Sequence, residues 1–108
     1  MRWLWWNPER QKDIPQWAYR VLVTELGIPN DALSDLLCYE RNDLINGVPR
    51  TLIRIFNPSE ARRAGARDFA GLDRHPGLIL FEGWHDPESG ENHLEIAAAR
   101  NQQIEPLR

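Results

Sequence analysis

Residues 51–56 read TLIRIF. The run is β-branched, aliphatic or aromatic at every position except Arg54. That composition suits a largely buried strand, and six residues are too few for a packed helix. A second run of the same kind, GLILFEGW, spans Gly77 to Trp84. Any fold for this chain has to bring these two apolar strands into one sheet.

The residues between them carry helix signals. Asn57 is an N-cap, Pro58 takes the first helical position, Glu60 completes a capping-box-like pattern, and Gly65 stops the helix. Asp68 caps a further short turn holding Phe69 and Leu72, which ends before Pro76. Upstream, Asp13 reads as an N-cap with Gln16 as its box partner and Pro15 in the first turn. Trp17, Ala18, Val21, Leu22 and Leu26 follow at helical spacing. Gly27 and Pro29 end that helix. Asn30 starts a short turn through Asp35, and Leu36 to Arg41 reads as a strand. Asn46-Gly47 is a turn signal, here expected inside a longer loop. Asp86 to Asn92 is a turn, and His93 to Ala99 is the returning strand.

Strands joined by turns pair antiparallel. The expectation is an α+β domain: a mostly antiparallel sheet of four to five strands, with one main N-terminal helix and one or two short helices on one face. The 108 residues fit one domain, taken as 1–99 with 100–108 as a flexible tail. Hydrophobic residues make up 42% and the net charge is −3, which supplies a core and does not read as disorder.

No apolar run approaches the roughly 18 residues of a membrane span, so no membrane partner is expected. The apolar start breaks at Asn7-Pro8-Glu9, which does not suit a secretory signal, and the cytoplasm is the default location. Cys38 is the only cysteine and sits among apolar neighbours, as a buried inert thiol would.

The hairpin EGWHDPESGENHLE carries the candidate chemistry. If its loop closes around Pro87 to Gly90, His85 and His93 lie close to opposite one another, with Asp86, Glu91 and Glu95 nearby. Two imidazoles and a carboxylate can hold Zn²⁺ or Fe²⁺, or share acid–base work. Glu82 is a second acid–base candidate, because a carboxylate inside LILFEGW can be desolvated. The spacing matches no established ligand motif. There is no G-x-S-x-G elbow, no P-loop and no dinucleotide fingerprint, so no cofactor is expected.

Residues 49–74 hold six arginines against three carboxylates. Arg62, Arg63 and Arg67 are the candidate nucleic-acid contacts. The overall pI of about 5.6 argues against that partner.

Three of five tryptophans, Trp3, Trp5 and Trp6, fall in the first six residues. A strand there would bury one face in the sheet. The other face is then left for an oligomer interface or an aromatic ligand wall. The leading expectation is therefore a small binding or interaction module without catalytic machinery, forming a homodimer and taking a protein or small-molecule partner. An enzyme using the 82–95 hairpin and nucleic-acid binding through the Arg-rich segment are the alternatives.

Overall fold

The structure, a computed structural model, describes residues 11–97. The tryptophans at 3, 5 and 6 and the 100–108 tail lie outside the described residues. The elements run α1 (Gln16–Arg20, continuing as a π-helical turn, Val21–Glu25), α2 (Asn30–Leu33), β1 (Leu37–Ile45), β2 (Val48–Phe56), α3 (Pro58–Ala64), two 3₁₀ turns (Ala70–Arg74 and Pro76–Leu78), β3 (Ile79–His85) and β4 (Asn92–Ile96). The fold is α+β, around a four-stranded sheet of order β1-β2-β3-β4 in which every pair is antiparallel.

The sheet is covered on both faces, where helices on a single face were expected. Side chains alternate across a strand, so each strand contributes to two cores. Cys38, Ile53, Ile55, Phe81 and Leu94 share the first face and pack against Ala18, Val21 and Leu22 of the N-terminal helical segment. Tyr39, Phe56, Ile79 and Ala97 share the second face and pack under Ala61 of α3 and Phe69 and Leu72 of the following turns. Tyr39 stacks on Phe56 with ring centroids 4.6 Å apart, and both are fully buried. Burying each such side chain contributes about 1.5–3 kcal/mol.

Local chemistry explains most element ends. Asn57 accepts hydrogen bonds from the backbone N–H groups of Ser59 and Glu60, Pro58 occupies N1, and Gly65 closes α3 at φ +78°. Asp68 accepts from the Gly71 N–H at 2.7 Å.

The start of α1 differs from the sequence reading. Lys12 and Cys38 exchange backbone hydrogen bonds of 2.9 Å, which holds the chain extended there. Pro15 rather than Asp13 then takes the N-cap position, with no side-chain cap. The helix also does not stay α-helical. The Leu26 N–H reaches back to the Val21 carbonyl, and the Thr24 hydroxyl donates to the Arg20 carbonyl. A hydroxyl that occupies a helix carbonyl loosens the regular ladder.

The Asn46-Gly47 loop is tighter than expected. Ile45 pairs directly with Val48, and both turn residues have positive φ, 54° and 80°. This is the two-residue hairpin that Asn-Gly favours, because its twist matches that of the strands.

A candidate binding groove on the second sheet face

Register decides which of the candidate residues meet. His93 pairs with Trp84, and His85 pairs with Asn92. One step along a strand reverses the face, so the histidines leave the sheet on opposite sides. His85 joins the first face and stacks on Trp17, centroids 5.0 Å apart and planes 18° apart. Its Nδ1 is buried and has no hydrogen-bond partner. His93 stays on the second face, 6.3 Å from the Trp84 ring. The expectation that the two lie nearly opposite one another is corrected by this single register step. Among the described residues no group of three or more His, Cys, Asp or Glu is gathered as a metal site requires.

Asp86 shapes the hairpin loop. Its Oδ1 accepts from the Glu88 N–H at 2.9 Å and the Ser89 N–H at 3.4 Å. The Glu88 backbone bond is the largest influence holding its carboxyl below the usual carboxylate range. The Ser89 bonds and the charge of Arg50 act in the same direction, and desolvation opposes them. Glu82 lies on the second face with its Oε2 3.7 Å from Arg54 Nε. Cys38 is fully buried, and burial, reinforced by Glu40, pushes its thiol up to about 12. That environment disfavours the nucleophilic thiolate.

The side chains that do converge are arginines and aromatics. Arg54 of β2 places its guanidinium carbon 4.2 Å from the centre of the Phe69 ring. It donates to the Phe69 carbonyl at 3.1 Å and to Asp73 at 2.6 Å. Arg41 of β1 lies 4.6 Å from the centre of the same ring. Arg50 lies over the Trp84 ring at 3.8 Å, and its Nε is buried without a hydrogen-bond partner. Alternation and register predict this row: Arg41, Leu52, Trp84 and His93 are successive cross-strand partners on one face.

α3 and the 3₁₀ turns cover only part of that face. Beyond them lies a groove of about 270 Å³, lined by Ile45, Leu52, Phe69, Trp84, His93 and Glu95, among others. Its lining combines these aliphatic and aromatic side chains with the polar groups of Arg54, Glu82, His93 and Glu95. Such a surface can take an apolar side chain and orient a polar group beside it.

Arg62, Arg63 and Arg67 are exposed. Arg62 and Arg63 fall in the last turn of α3, where cations complement the helix terminus, and Arg63 lies 3.8 Å from Glu60. Arg67 borders a separate cleft with Arg74 and Asp68. The Arg-rich segment is thus divided, with Arg50 and Arg54 on the sheet and the other arginines outside it. In the sequence alone Arg50 and Arg54 count only as charge, and nothing singles out Trp84 from the apolar run that it ends. The period-2 pattern of TLIRIF and GLILFEGW places Arg54 and Trp84 on a shared face once the register is known.

No family model, no curated protein and no solved structure matches this chain.

Proposed function

We propose that this chain is a non-catalytic interaction module that recognises a protein partner through the groove on the second sheet face. The observation that carries the reading is the Arg50 guanidinium laid over Trp84 at 3.8 Å with its Nε unpartnered. Trp and Arg dominate the energetics of protein interfaces, and a guanidinium already held against an aromatic loses little freedom on binding. The complementary partner carries a carboxylate for Arg50 next to an apolar or aromatic side chain for the groove. The separation of His85 from His93 favours binding over shared metal or acid–base chemistry in the hairpin.

The test is selection of a random displayed peptide library on the immobilised chain, with counter-selection on Trp84→Ala. Enriched peptides are expected to pair an acidic with an apolar residue. They should lose binding to Trp84→Ala and weaken on Arg50→Lys, which keeps the charge but not the fork. Peptides that bind Trp84→Ala equally well overturn the reading. Self-association, expected from Trp3, Trp5 and Trp6, is the second part of the proposal. Its test is the solution mass before and after deletion of residues 1–6.

A further inference from the structure

β4 is an edge strand: among the described residues nothing pairs with its outer side. The hydrogen-bond pattern fixes which of its backbone groups face out. The Asp86 N–H donates to the Glu91 carbonyl at 2.8 Å, two steps before the Trp84–His93 pair. Hydrogen-bonded pairs alternate in an antiparallel ladder, so His93 and Glu95 bond inward to β3. Asn92, Leu94 and Ile96 then turn their N–H and C=O groups away from the sheet. Extended through β2 and β1, the same alternation leaves the Cys38 backbone facing outward, which is where Lys12 meets it.

We propose that β4 pairs antiparallel with β4 of a second copy, about a two-fold axis through Leu94. In this register Leu94 faces Leu94 of the second copy as a hydrogen-bonded pair, and Asn92 faces Ile96. His93 then falls opposite Glu95 of the second copy, and Glu95 opposite its His93. These are non-hydrogen-bonded positions, where cross-strand side chains approach most closely. Shifting the axis by one residue either way sets like residues opposite each other, His93 on His93 or Glu95 on Glu95. The Leu94-centred register satisfies the outward backbone groups and, with His93 protonated, sets opposite charges face to face, adding a partner across the axis to the 3.8 Å approach of His93 Nε2 to Glu95 Oε1 within each chain.

Ile96, 41% exposed, is an apolar residue of this edge left open to solvent in the single chain. At the other edge of the sheet, Lys12 already occupies Cys38 of β1. Pairing at β4 makes one eight-stranded sheet from two four-stranded ones. The two Trp84 grooves then lie on the same side, separated by the His93 and Glu95 row. The inference rests on the self-association part of the proposed function; His93 and Glu95 also line the groove, so the seam and the groove share a wall.

The experiment is solution mass by light scattering from about 1 μM to about 1 mM, on the full chain and three variants. His93→Glu sets carboxylates opposite each other across the axis and is expected to weaken the dimer by about tenfold or more. Adding Glu95→Lys restores opposite charges and should recover most of the loss. Asn92→Pro removes an N–H that only the second copy would use, so it should yield a monomer with an unchanged near-ultraviolet dichroism spectrum. If that variant does not fold, the charge-reversal pair decides. A dimer unaffected by the charge reversal overturns the β4 pairing. Self-association stands if that same dimer is lost on deletion of residues 1–6. A monomer at every concentration overturns both.

Discussion

His85 and His93 stand one register step apart on neighbouring strands and project from opposite faces of the sheet. His85 lies on Trp17 in the first layer, and His93 borders the groove of the second. Side chains on opposite faces of a sheet do not touch, which removes the direct contact through which neighbouring residues couple. In a double-mutant cycle of His85→Asn and His93→Asn, the stability changes should add to within about 0.5 kcal/mol. A larger coupling by urea denaturation would show that the two communicate through the sheet.

Gly83 sits where two strands come too close for any side chain. A Cβ there would run into the His93 carbonyl oxygen and crowd the Leu94 backbone. Gly83→Ala must therefore separate β3 from β4, and it should destabilise the fold by about 2–3 kcal/mol. A midpoint of chemical denaturation within error of wild type would contradict this.

The loop made by Asp86 is pH-sensitive in a defined direction. Its folded carboxyl is held below the usual range by the Glu88 N–H and by Ser89, so the ionised form is the one folding favours. The stabilisation is present above the ordinary carboxylate value of about 3.9. It is lost as pH falls through the lower folded value. Asp86→Asn keeps an acceptor oxygen but removes the charge. The melting-temperature gap between wild type and Asp86→Asn should be widest near neutrality and shrink as pH falls below the ordinary carboxylate value of about 3.9. A gap constant with pH would mean the charge contributes nothing.

Trp84 and Phe56 are both aromatic and both on the second face, yet they should respond differently to truncation. Phe56 is fully buried beneath α3 and stacked on Tyr39, whereas Trp84 is only partly buried and borders the groove. Phe56→Ala should cost about 3–5 kcal/mol, and Trp84→Ala about 1–2 kcal/mol. Equal losses would make Trp84 a core residue and remove it as a binding anchor.

The parts of the fold legible in the sequence are those governed by neighbouring residues. TLIRIF and GLILFEGW became β2 and β3, and Asn57, Pro58 and Gly65 bound α3 where their backbone preferences put them. What the sequence hid depends on distant partners. Asp13 is a good cap by type, but the Lys12–Cys38 bridge holds the chain extended and moves the helix start beyond its reach. The candidate site was hidden for the same reason. Arg41, Arg50, Phe69 and Trp84 come from three strands and a turn, and only the register sets them side by side. The histidine pair looked close because hairpin position is visible in a sequence, while strand parity is set by the loop that Asp86 organises.

Each strand of this sheet pairs with the strand next to it in the chain. The loop-closure entropy needed to bring partners together is correspondingly small at the first hairpin, where two residues at positive φ turn β1 into β2. Pairing of β3 must wait for the excursion through α3 and the 3₁₀ turns, so β1–β2 is the natural folding nucleus. Substituting Gly47 by Val, which strains that turn, should slow refolding while leaving the unfolding rate nearly unchanged. The order in which the chain leaves the ribosome is then the order in which its sheet can assemble. The N-terminal helical segment and α3 leave the ribosome before GLILFEGW and can cover the two apolar faces of the first hairpin, but the β2 edge that β3 pairs with stays open until GLILFEGW arrives, and that interval is when the nascent protein is most vulnerable to aggregation.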